Sequence, residues 1–91
     1  GVRVMAVGGG WWDKPVRIER PDTGRPFNVS NNNRAAELLL NEWPAEPGPK
    51  HLVARKAVLK AMEQALDARR QAVARKAFHE AAKEAGIAMG D

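Results

Sequence analysis

The sequence predicts an α+β fold: an N-terminal two-stranded antiparallel β-hairpin packed on three α-helices. Three observations carry this. Two short stretches alternate apolar and polar residues around a turn. Prolines and a glycine then separate one helical stretch from the next. Finally, Lys50 to Ala85 contains neither proline nor glycine and is rich in strong helix formers.

The first alternating stretch is Pro15-Val16-Arg17-Ile18-Glu19-Arg20. Val16 and Ile18 point to one face and Arg17 and Glu19 to the other, as a half-buried strand requires. Pro21-Asp22-Thr23-Gly24 supplies the turn, since proline presets φ and glycine accepts a positive one. Arg25-Pro26-Phe27-Asn28-Val29 alternates again, with Phe27 and Val29 inward. Pro26 has no N–H to donate, so it marks the start or an unpaired side of the second strand. A hairpin alone is marginal in water and must lie on the helices.

Ser30-Asn31-Asn32-Asn33 offers several N-caps for a helix over Arg34–Trp43, with Ala35, Leu38, Leu39 and Trp43 buried. Pro44 stops it. Pro47-Gly48-Pro49 makes a stiff connection. A single helix from Lys50 to Ala85 would be about 54 Å long, too long for so small a domain. A break is therefore expected near Asp67, with a second helix to about Leu66 and a third from about Arg69 to Ala85. Its apolar face is expected to carry Val73, Ala77, Phe78, Ala81, Ala82 and Ala85. Gly86 followed by Ile87 fits a left-handed cap with a hydrophobic contact.

These expectations give one domain over residues 12–87, a flexible segment over 1–11 that includes Gly8-Gly9-Gly10, and a short tail over 88–91. The chain has no cysteine, so disulfides and thiolate metal sites are excluded. A reducing cytoplasm is the expected compartment. No apolar run approaches the about 18 residues that suggest a membrane span.

Trp12 with Pro15-Val16, Gly24 in the turn, Ala35-Ala36 with Leu39, and Trp43-Pro44 appear in that order. Gly48, Ala57, Ala65-Leu66, Ala77-Phe78, Ala82 and Ala85-Gly86-Ile87 follow. This pattern resembles the bacterial family catalogued as domain of unknown function 982, over roughly residues 12–87. The resemblance implies a hairpin followed by helices. It brings no activity, cofactor or catalytic residue to carry over.

Groups able to make or break bonds are few. Thr23 and Ser30 have turn and cap positions to fill. His79-Glu80-Ala81-Ala82-Lys83 begins like a zinc-protease helix, but a lysine stands where the second histidine must be. His51 is expected on the surface near a helix N-terminus. The chain is therefore read as non-catalytic, with no cofactor or metal.

Charge is unevenly placed. The net charge is +4, and residues 50–86 hold nine basic and four acidic side chains. Lys56 and Lys60 fall opposite the face formed by Ala54, Ala57, Val58, Ala61, Met62 and Ala65. With Arg55, Arg69 and Arg70 they form a candidate face for anions or nucleic acid. Gln64 and Gln71 are the amides that could accompany it. Trp11 and Trp12 are adjacent, so in an extended chain they point opposite ways, and they form a candidate interface. Self-association, with a dimer favoured, is the first expectation. Nucleic-acid binding is the alternative.

Overall fold

The computed structural model describes residues 11–20, 22–44 and 46–90. The expectations for Gly8-Gly9-Gly10, for Pro21 as the first turn residue and for Asp91 lie outside the described residues. Strand β1 (Trp11–Glu19) pairs antiparallel with β2 (Pro26–Asn31). Val16 opposes Val29 and Ile18 opposes Phe27; the register then shifts between Val16 and Trp11, which opposes Asn31. Val16, Ile18 and Val29 are buried while Arg17 and Glu19 face out. The alternation thus places one face of the hairpin on the helices. Gly24 has φ 71°, and its N–H bonds the Arg20 carbonyl at 2.8 Å. The Thr23 hydroxyl accepts the Arg25 N–H at 3.2 Å.

Helix α1 (Asn32–Asn41) starts two residues before the expected Arg34, because Asn31 is the residue that caps it, accepting the Arg34 N–H at 2.9 Å. It stops before Trp43: residues ahead of Pro44 are pushed out of helical geometry. Trp43 is half-buried and packs on the core from the connection. Helix α2 (Pro49–Glu63) has proline in its first turn and no side-chain cap from Gly48. Helix α3 (Ala68–Ala85) begins at the expected break, where the Asp67 carboxylate accepts the Arg69 and Arg70 N–H groups at 3.0 and 3.2 Å. α2 ends at Glu63, ahead of the expected Leu66, and 64–66 form the turn.

α2 and α3 run antiparallel: Gln71 touches Ala61 and Gln64 at one end, and Glu84 accepts the Lys50 N–H at the other. Alanines 54, 61, 74, 81 and 82 line the shared side and are fully enclosed, so the two backbones approach closely. Val73 lies outside this side and is exposed, contrary to expectation. The Phe78 ring sits between Trp12 and Trp43, with centroids 5.7 and 6.0 Å away.

The end of α3 departs from the expected tail. Gly86 has φ 78°; its N–H bonds Lys83 O and the Ile87 N–H bonds Ala82 O, the paired bonds of a Schellman cap. The cap turns Ile87 into the core and lays the following residues along β1. Glu19 N–H bonds Ile87 O, Met89 N–H bonds Arg17 O, and Ala88 bridges Ile18. Residues 88 and 89 are therefore joined to the sheet, and Trp11 belongs to β1 rather than to a flexible segment.

Candidate interaction surface

The adjacent tryptophans part as an extended strand demands. Trp12 is buried, and its indole Nε1–H donates to Asn32 Oδ1 at 2.9 Å. Asn32 Nδ2 donates to Gln71 Oε1, and Gln71 Nε2 donates to the carbonyls of Ala61 and Gln64, each at 3.1 Å. This buried chain of amides links β1, α1, α2 and α3. It corrects two expectations. Trp12 belongs to the core and leaves the interface set, and Gln71 is unavailable to read a base edge. Both follow from the same need: a buried polar group must find a partner.

His51 is also corrected. It is 3% exposed, not a surface residue, because its place one turn before Ala54 on α2 turns it inward. Its Nε2 lies 2.8 Å from the Leu39 carbonyl, and the Trp43 ring covers it at 5.3 Å. His79 is partly exposed and stands 3.5 Å from the Gly90 carbonyl. Among the described residues, no group of three or more His, Cys, Asp or Glu could hold a metal ion. No helix there is long and apolar enough to cross a membrane.

The five candidate basic residues differ in their surroundings. Arg70 is drawn onto the α2–α3 turn, bonding Gln64 Oε1 at 3.3 Å and standing 4.0 Å from the Asp67 carboxylate. Arg55 lies on the α1 side of α2, where Leu40 and Leu59 flank it over Ala36 and Val58 with no water-sized gap. Lys56, Lys60 and Arg69 are exposed and enter no ion pair among the described residues. Arg75 is structural: it bonds the Lys14 and Pro15 carbonyls at 2.8 and 3.3 Å, holding α3 to the irregular part of β1.

At the hairpin turn, charge is paired locally. Arg20 bonds Asp22 at 2.9 Å, reaches Glu42 at 3.6 Å and stacks on Phe27 at 5.1 Å. The hydrogen bond from Arg20 holds the Asp22 carboxyl below its ordinary value, and the same bond raises Arg20. An open hollow of about 450 Å³ beside this cluster is lined by Arg20, Asp22, Glu42, Trp43 and Pro44. Its charges already face one another.

Sequence reasoning missed an apolar feature of the surface. Leu52 and Leu59 on α2 are exposed, Leu40 stands beside Leu59 on α1, and Met62 follows one turn on. Leu66 is 87% exposed in the next turn. It borders a hollow of about 370 Å³ with Trp11, which is 56% exposed, and with Asp13 and Ala72. The signal was the seven-residue spacing of Leu52, Leu59 and Leu66, masked by the alanine-rich face on the same helix. A second depression, about 260 Å³, runs between α2 and α3 over Val53, Val73 and Ala77, edged by Lys50, Lys76 and Glu80.

Residues 14–89 match the family described as "Protein of unknown function (DUF982)". Among solved structures, the chain is similar to the NMR structure of Agrobacterium tumefaciens protein Atu1219. The two are 27% identical with a TM-score of 0.72, and the match covers 100% of this chain and 87% of that one. No curated protein matches the chain.

Proposed function

The chain belongs to the DUF982 family, and on that footing we propose that it is a non-catalytic protein–protein interaction module that self-associates as a dimer. The observation behind this reading is the leucine-bearing face of α1 and α2. Leu40, Leu52 and Leu59 lie outside the core on one side, although α2 already buries an alanine-rich face. Contiguous exposed apolar surface of this kind marks an interaction site. A second copy removes it from water at a gain of about 1 kcal/mol for each half-exposed leucine covered. A chain of 91 residues has a thin core and gains from that burial.

The reactive groups support the non-catalytic part. His51 is engaged with a backbone carbonyl, and the Thr23 hydroxyl serves the turn. The lack of cysteine supports a cytoplasmic site of action. Sedimentation equilibrium over a wide concentration range tests the proposal: the expected mass is twice that of the chain at high concentration. A single-chain mass throughout overturns it.

Nucleic-acid binding is a second reading, favoured by Lys56, Lys60 and Arg69, which enter no ion pair among the described residues. Fluorescence anisotropy with mixed DNA and RNA at low salt tests it, and the expected affinity falls steeply as salt rises. Glu63 stands among these cations in the last turn of α2, and Arg55 and Arg70 are engaged elsewhere, which is why it stands second.

A further inference from the structure

We infer that the trough between α2 and α3 docks an acidic amphipathic helix of a different protein. This inference rests on reading the chain as a protein–protein interaction module, and it concerns a face other than the leucine-bearing one.

The floor of the trough is apolar. Val53 on α2 and Val73 on α3 are 56% and 53% exposed, and Ala77 lies beside them in a depression of about 260 Å³. Neither valine serves the core. β-branched residues are also weaker helix formers than the alanine and lysine around them, so helix formation gives no reason for valine there. α2 and α3 run antiparallel, and the furrow between two packed helices accepts the side-chain ridge of a third laid along it. A site that encloses a free small molecule usually offers about 300–1,000 Å³. This trough is smaller and suits the apolar side chains of a helix placed over it, the helix-in-groove mode of recognition.

The rim sets the sign of the partner. Lys50, Lys76 and Glu80 edge the trough. Glu80 is held by Lys83 at 3.6 Å. Glu84, one turn further on, accepts the backbone N–H of Lys50 at 3.4 Å and leaves the Lys50 ammonium uncommitted. Lys50 and Lys76 enter no ion pair among the described residues. The carboxylates are thus engaged and the cations free, in a stretch whose nine basic side chains outnumber its four acidic ones over residues 50–86. Carboxylates flanking the apolar stripe of an incoming helix complement those cations. A second copy brings the same free cations to this trough, so like charge opposes self-docking there.

The test uses the full chain and two synthetic helices of about 15 residues, long enough to be partly helical alone. Both carry leucine at three- and four-residue spacing; one bears glutamate on its flanks and the other lysine. In NMR titrations the glutamate helix is expected to shift the Val53 and Val73 methyl signals, with an affinity that falls as salt rises. The lysine helix is expected to leave them in place. Lys50→Glu and Lys76→Glu, both at exposed positions, each weaken binding of the glutamate helix by about two- to fivefold. Together they let the lysine helix bind instead. Val73→Asp weakens the glutamate helix by about tenfold. Circular dichroism establishes that each variant folds. Methyl signals unmoved by the glutamate helix at millimolar concentration overturn the inference, as does an equal response to both helices. Movement of the Leu40 and Leu59 methyls in their place overturns it too, since the peptide then takes the leucine-bearing face. A shift of Val53 and Val73 on raising the protein concentration alone assigns the trough to a second copy, and a shift with octanoate but not with peptide assigns it to a small amphiphile; either result overturns the inference. Sedimentation of the chain without peptide tests self-association separately, so the two failures are told apart.

Discussion

His51 Nε2 lies 2.8 Å from the carbonyl oxygen of Leu39, in the last turn of α1. A carbonyl only accepts, so the ring must carry its proton on Nε2. The other ring nitrogen, Nδ1, is buried and has no partner among the described residues. The C-terminal carbonyls of a helix lack intrahelical donors. Here a side chain from the first turn of α2 supplies one, tying α1 to α2 across the Pro47-Gly48-Pro49 connection.

Removing that donor has a measurable cost. His51→Phe keeps an aromatic ring beneath Trp43 but leaves Leu39 O buried without a donor, a loss of about 1–3 kcal/mol. His51→Ala adds a cavity and costs more. His51→Gln can still donate, so it loses least. Urea unfolding with an unchanged m-value ranks the three. A Phe variant as stable as the wild type would show that the hydrogen bond is dispensable.

Gln71 is the hub of the Trp12–Asn32–Gln71 chain, accepting from Asn32 and donating to two carbonyls on α2 and its turn. Gln71→Leu orphans the Asn32 amide, while the Ala61 and Gln64 carbonyls keep the backbone N–H groups of Gln64 and Asp67, so it is expected to cost about 1–3 kcal/mol. Asn32 and Gln71 act as one unit. A double-mutant cycle with Asn32→Ala and Gln71→Ala is expected to give a coupling of about 1–2 kcal/mol. Additive losses would mean that the chain is a set of independent contacts.

The contrast between these contacts and the caps explains what could be read from sequence. Asn31, Asp67 and Gly86 each serve backbone within a few residues, so composition and order narrowed the caps to Ser30–Asn33, to the neighbourhood of Asp67 and to Gly86. His51, Asn32 and Gln71 find partners 7 to 39 residues away, which depends on how the helices meet. A trace of them was present. His51 leads Ala54, Val58 and Ala61 at the spacing of one helical face, and Gln71 leads Ala74, Phe78 and Ala81 at the same spacing. Polarity argued for exposure, and the face argued for burial. The face prevailed because each amide or imidazole met an acceptor. On the surface, the basic residues were visible by type, but the neighbours that Arg55 and Arg70 meet were not, since these follow from the rotation of α2 and α3 about their axes.

Asp67 decides where the α2–α3 hairpin turns. Its carboxylate takes two N–H groups at the start of α3, and Arg70 stands close by. Asp67→Ala is expected to cost about 1 kcal/mol, equivalent to a drop of about 4–8 °C in Tm for a domain of this size. Asp67→Asn retains the acceptor and most of the stability. Thermal melts of both variants check this, and an unchanged Tm in the alanine variant would contradict the capping role.

The Arg20–Asp22 pair gives a pH dependence whose sign can be worked out. The hydrogen bond from Arg20 lowers the Asp22 carboxyl in the folded protein. The unfolded chain returns it to about 3.9. A carboxyl lowered by folding contributes stability at pH above the unfolded value, and this is lost as pH falls through the folded value. Both groups reach solvent, so the stability effect is small. The titration itself is the sharper readout. NMR of the Asp22 carboxyl carbon is expected to show a midpoint below that of an unpaired aspartate, with Arg20→Gln moving it up. Glu42, the more distant neighbour of Arg20, contributes no hydrogen bond to Asp22, so Glu42→Gln is expected to leave the Asp22 midpoint nearly in place. If Arg20→Gln left it unmoved, the hydrogen bond would not be what lowers it.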